Sequence, residues 1–125
     1  MRLNPAFDHA HADLGLAYKR TNNFDAAISE FEEAIRLDPK SPYYRYGLGQ
    51  ALWQAGKLLP KAVESLQEAI RLKPDYAEAY YDLGRAYLRM GKKAEALQQV
   101  EKLKKLSPPM SARLYRDIAG PSRQQ

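Results

Sequence analysis

The chain contains no cysteine, only two histidines and a single tryptophan, and these scarcities remove whole classes of chemistry. Without cysteine there is no disulfide framework, no thiolate nucleophile and no cysteine-based metal site. The absence does not decide the compartment, because such a chain tolerates reducing and oxidising surroundings alike; the cytoplasm is slightly favoured. The histidines, His9 and His11, stand two apart, so on one helix they point about 200° from each other and cannot grip one ion. No metal site and no cofactor are expected. Long apolar runs are missing too: none approaches the roughly 18 residues needed to cross a bilayer. Neither a Gly-rich phosphate loop nor a G-x-S-x-G elbow is present, and paired carboxylates such as Glu32 and Glu33 fall on the polar side of an amphipathic helix. These absences argue against an enzyme, and no catalytic residue is assigned.

Charge is present but unevenly spread. The chain of 125 residues carries a net charge of +5. From Arg85 onward ten Lys/Arg stand against three acids, a balance of +7, whereas the first 84 residues carry −2. A basic end can meet an anionic partner or nucleic acid. The simpler expectation is a solvated terminal face, since only Tyr115 interleaves an aromatic with the charges, and single-strand binders need stacking rings.

What the sequence has in abundance is repetition. Prolines close similar phrases at positions 5, 39, 74 and 108, in steps of 34, 35 and 34. A Leu-Gly pair recurs as Leu14-Gly15, Leu48-Gly49 and Leu83-Gly84, and an alanine recurs at Ala27, Ala62 and Ala96. All three anchors agree once a single extra residue is allowed between Gly56 and Ala62. Within each period the apolar spacing is helical, as in Leu66, Ala69, Ile70 and Leu72. Breakers stand where antiparallel helices would turn: Thr21-Asn22-Asn23, Gly56 and Gly91. The pattern predicts helices near 8–20, 24–37, 42–54, 60–72, 76–89 and 93–106, and a seventh near 110–119. No run alternates with period two, so no strand is expected. A helical glycine costs about 1 kcal/mol relative to alanine, and its return predicts close helix approach, Gly15 to Ala27, Gly49 to Ala62 and Gly84 to Ala96.

The order Leu14, Gly15, Tyr18, Ala27, Phe31, Ala34, Pro39 resembles the tetratricopeptide repeat, a 34-residue helix–turn–helix unit. Leu83, Gly84, Tyr87, Ala96, Val100, Leu103 and Pro108 repeat it, while the second copy departs at Leu52 and Leu66. The resemblance covers about residues 1–108 and implies an all-α fold, an α-solenoid of three such repeats at 8–41, 42–76 and 77–109. The segment 110–120, with Met110, Leu114 and Ile118 at helical spacing, is expected to be a C-terminal capping helix. Residues 121–125 are expected to form a disordered tail. Arg2-Leu3-Asn4-Pro5 sits one period before Arg36-Leu37-Asp38-Pro39, so residues 1–7 are expected to be the remnant of a preceding repeat in a longer array.

Arrays of this family bind partners in a concave groove lined by the first helix of each repeat, which implies a non-catalytic protein-interaction scaffold. Positions offset from the Leu-Gly face then give a peptide-binding groove of Tyr43, Tyr46, Gln50, Trp53, Tyr81, Arg85 and Arg89. Its centre is aromatic, and polar-tipped aromatics are frequent anchors of binding surfaces. A helix or extended peptide with apolar residues is the expected partner, with an acidic one for Arg85 and Arg89. The family's carboxylate clamp for chaperone tails is not matched: Ala12, Leu16, Gly47, Gln50, Glu78 and Asp82 stand at its places. The alternative is self-association into a homo-oligomer through the apolar face Phe7, Ala10, Leu14 and Ala17. The basic C-terminal third as a nucleic-acid or anionic contact is a further alternative.

Overall fold

A computed structural model describes residues 5–120; residues 1–4 of the expected remnant and the expected tail at 121–125 lie outside the described residues. Among the described residues the chain forms seven α-helices and no strand. They are α1 (Pro5–Arg20), α2 (Phe24–Leu37), α3 (Pro42–Ala55), α4 (Leu59–Leu72), α5 (Ala77–Arg89), α6 (Lys93–Leu106) and α7 (Pro108–Ala119). The predicted bounds hold to within three residues. The largest differences arise at prolines: Pro5 and Pro108 open helices instead of closing them. A first-turn proline loses no hydrogen bond, because the N–H it lacks would be unpaired there anyway. Residues 5–7 therefore belong to the first helix.

Local chemistry sets the ends. The Ser41 side chain caps α3 by accepting from the Tyr44 N–H at 3.4 Å, and Ser107 caps α7 by accepting from Met110 N–H at 3.4 Å. Gly56 closes α3 in the left-handed region at φ 71°, its N–H reaching the carbonyl oxygens of Leu52 and Trp53. The extra residue of the second repeat falls in the following turn. There Leu58 takes φ 48°, a conformation that L side chains resist, and it is 65% exposed.

Helices pair in order, α1 with α2, α3 with α4 and α5 with α6, and each second helix packs on the next first helix. The first helices also touch one another in succession, α1 to α3, α3 to α5 and α5 to α7, whereas α2, α4 and α6 do not touch among themselves. Closer approach on one side curves the stack, with the odd-numbered helices on the inner, concave layer. Alanines with no exposed surface (Ala27, Ala34, Ala51, Ala62, Ala69, Ala86, Ala96) let the layers approach, and Phe31, Leu52, Leu66, Leu103 and Leu114 fill the space between.

The glycines have different neighbours from those expected. A Cβ on Gly15 would come within 2.8 Å of the Phe31 ring, and one on Gly47 would overlap the other edge of that ring. Phe31 is thus clasped between two glycines from successive repeats. Gly84 makes room for Leu114 of the capping helix; Gly49 alone approaches its alanine partner, the Ala62 carbonyl oxygen, and it meets Leu66 more closely. The glycine is needed for the large side chain of the partner helix, more than for its alanine. The cap buries Leu114 and Ile118, with Met110 half-covered, and the Ser111 hydroxyl donates to the Val100 carbonyl at 2.9 Å.

Candidate functional site: the concave groove

The inner layer holds a cleft of about 610 Å³ between α1 and α3, closed at one end by Tyr76. Its floor is the Phe31 ring, which reaches the cleft because Gly47 has no side chain to cover it. Its far wall is three tyrosines, Tyr43 and Tyr46 each packed on Tyr76. Tyr43 meets Tyr76 edge to face, centroids 5.6 Å apart at 66°, and Tyr46 lies tilted on Tyr76 at 5.0 Å and 39°. Such offsets are the arrangement that the ring quadrupoles favour. Tyr43 remains 57% exposed at the mouth. The near wall is Ala12, Asp13 and Leu16 of α1, with His9 at the end, and Asp38 lies across from them.

Beside the cleft a polar cluster is built on Asp82, which is 3% exposed. Gln50 Nε2 donates to Asp82 Oδ2 at 2.8 Å and to the Tyr46 hydroxyl at 2.9 Å, while Gln50 Oε1 accepts from Lys19 Nζ. Burial pushes the Asp82 carboxyl up to about 6; the Tyr46 hydroxyl, Lys19, Trp53 and Gln50 partly offset that rise. The buried Trp53 indole N–H has no acceptor at hydrogen-bonding geometry, yet lies near enough to Asp82 to favour its charge. Burial lowers the Lys19 ammonium from its ordinary value, against the pull of Asp82. The Tyr46 and Tyr76 phenols are pushed up, by burial first and then by neighbouring acids, Asp82 for Tyr46 and Glu78 for Tyr76. Both phenols stay neutral at any physiological pH.

The seven residues expected to line the groove fall into two groups. Tyr43, Tyr46 and Gln50 stand at the cleft. Trp53, Tyr81, Arg85 and Arg89 lie away from the cleft and join α3, α5 and α7 in a second network, which meets the Asp82 cluster at the Trp53 indole. Trp53 is only 7% exposed and lies beneath the surface, with the Arg85 guanidinium 5.0 Å over its ring. Arg85 also donates to the Tyr81 hydroxyl at 3.1 Å and to Asp117 at 3.2 Å, and the Tyr81 hydroxyl donates to Asp117 at 3.0 Å. Arg89 donates to the Trp53 carbonyl at 2.8 Å. Sequence reasoning did not select Asp13, Asp38, Tyr76 or Asp82 for the site. For two of them a signal existed: Asp13 and Asp82 each immediately precede a Leu-Gly pair, where the second repeat has Gly47.

A second cleft, about 680 Å³, opens on the outer side between α6 and α7, lined by Leu97, Val100, Pro108 and Tyr115 with Glu101 and Lys104 at its edge. It is larger, but it lacks the converging rings and buried polar cluster of the inner one, and converging polar groups are what orient a ligand. Among the described residues no three metal-ligating side chains come together, and no helix is long and apolar enough to cross a membrane.

Residues 15–56 and 59–91 match the family model described as TPR repeat, and residues 77–109 match that described as tetratricopeptide repeat. No curated protein matches the chain. Among solved structures it is similar to the first TPR of Spaghetti (RPAP3) bound to the HSP90 peptide SRMEEVD, at 21% identity and a TM-score of 0.86, with 95% of each chain covered. It is similar to the second TPR domain of the human RPAP3 protein in complex with the HSP70 peptide SGPTIEEVD, at 22% identity and 0.80, covering 91% of this chain and 99% of that one. MamA is 31% identical with a TM-score of 0.83, over 92% of this chain and 66% of that one. The repeat anchors, the paired-helix curvature and the family match agree: this chain belongs to the tetratricopeptide repeat family.

Proposed function

We propose that this chain is a non-catalytic protein-interaction scaffold that binds a peptide or short helix of a partner protein in its concave groove. The observation that carries the reading is the tyrosine wall of Tyr43, Tyr46 and Tyr76 beside a cleft floored by Phe31. Rigid, polar-tipped rings supply contact area at small entropic loss. Two structural neighbours hold chaperone peptides, which supports peptide binding as a use of this curvature. The clamp that would grip an acidic chaperone tail is not expected here, since Asp82 and Glu78 stand where it needs cations.

The test is amide chemical-shift mapping with peptides selected from a random display library. Perturbations concentrated on α1, α3 and Tyr76, and lost in Tyr46→Ala, are the expected result. Shifts confined to α6 and α7 would move the site to the outer cleft and sink the groove reading.

Self-association is the second reading, favoured by one observation: Phe7 is 59% exposed and Leu14 45%, on an α1 face that Ala10 and Ala17 continue. Light scattering over a range of concentration separates the two, since only self-association raises the mass with concentration. Binding of nucleic acid by the basic third is the weakest reading, and Arg85 and Lys104 there already pair with Asp117 and Glu101. Phosphate-driven binding would fall steeply between about 50 and 200 mM salt.

A further inference from the structure

The charge around the inner cleft is one-sided. Among the described residues its lining contains the exposed carboxylate of Asp13 and no lysine or arginine, with the His9 imidazole as its basic group. Glu78 is close enough for its charge to disfavour ionisation of both Tyr46 and Tyr76. Neither Asp13 nor Glu78 has an ion-pair partner among the described residues. Three cations of the inner layer are engaged elsewhere: Lys19 on Gln50, Arg85 between Tyr81 and Asp117, and Arg89 on backbone carbonyls. The rings already show what they accept. Lys73, itself paired with Asp75, sits 5.0 Å from the Tyr76 centroid, while the Tyr43 ring stands open at the mouth. A tyrosine face attracts a cation, and the attraction grows where water is excluded.

Resting on the peptide-binding reading, we propose that this half of the groove takes a lysine or arginine side chain of the partner peptide. The alkyl stem would lie on Tyr43 and Leu16 over the Phe31 floor, and the charged head would face Asp13 and Glu78. This reverses the polarity expected from Arg85 and Arg89: the partner is basic at this point, not acidic.

The experiment starts from a random peptide display library panned on the whole chain at moderate salt. Selected peptides are expected to share a lysine or arginine at one position. A synthetic copy with norleucine at that position should bind at least tenfold more weakly. Asp13→Asn, at an exposed position outside the core, should weaken the basic peptide several-fold and leave the norleucine copy unchanged, whereas Tyr43→Ala should weaken both peptides, the basic one more. Selection of acidic peptides, or a norleucine copy that binds as tightly as its parent, overturns the cation pocket while leaving a peptide scaffold standing. A library that yields no binder overturns both readings. Light scattering on the free chain covers the remaining occupant: a dimer abolished by Tyr43→Ala would assign the pocket to the basic third of a second copy and overturn the foreign peptide.

Discussion

Asp82 is an ionisable group held inside the fold against its own solvation, and replacing it with asparagine should make the protein more stable. Its carboxyl titrates at about 6 in the folded chain against an ordinary 3.8, with burial as the chief cause. The folded state therefore binds that proton more tightly than the unfolded state does. The associated stability is fully present below about pH 3.8 and is lost as pH rises through about 6. At about 1.4 kcal/mol per tenfold change in proton affinity, the loss is about 3 kcal/mol. Asp82→Asn stays neutral throughout and keeps an oxygen to accept from Gln50 Nε2, as Asp82 now does at 2.8 Å. It also removes the counter-charge of half-buried Lys19, which returns part of the gain. Urea melts of both proteins from pH 4 to pH 8 should show little difference at the acid end. At pH 7.5 the variant should be ahead by about 1–3 kcal/mol, worth roughly 4 °C in Tm for each kcal/mol at this length. A difference independent of pH, or one that favours the wild type more as pH rises, would refute the reasoning. If the gain appears, the carboxylate is carried at a loss to stability, and titratable groups strained in this way gather at functional sites.

Three further outcomes follow from the packing. Phe31→Ala should lose about 3–5 kcal/mol in chemical denaturation, because the ring is 2% exposed and clasped by Gly15 and Gly47, which cannot move in to fill the void. Leu58→Gly should gain about 1 kcal/mol by relieving the left-handed backbone at an exposed side chain, read as a higher urea midpoint at unchanged slope. Ser107→Ala should lose about 1 kcal/mol through the cap of α7, and hydrogen exchange should show the loss concentrated at Met110 and its neighbours.

The helices were legible because each is marked twice, by apolar spacing and by a breaker at its end. The Leu-Gly pair and the closing proline repeat those marks three times, so an error in one copy is corrected by the others. The partners of the glycines were not legible. The repeat places Gly15 and Ala27 in register, but the space at Gly15 is taken by Phe31, four residues further along α2 and on the same face. The site was half legible. Helical register placed Tyr43, Tyr46 and Gln50 on the inner layer, yet it could not tell an open ring from a covered one. Trp53 is covered because Arg85, one repeat later, lies across it, a contact over 32 positions that no local pattern records. Tyr76 was not legible as a groove residue: the pattern puts it at the first position of a helix over 76–89, whereas it stands in the turn before α5 and folds back onto Tyr43 and Tyr46.

That α2, α4 and α6 never touch one another has a mechanical consequence. The outer side of the stack is a row of separate struts joined only through the inner layer, so it can fan open or close like the ribs of a half-spread umbrella. A change of curvature then requires small slips at the α2–α3 and α4–α5 seams and breaks no helix pair. Within that range the width of the groove can change, and a peptide that bridges the tyrosine wall and the opposite side of the cleft would stiffen the first two repeats, which the cleft spans.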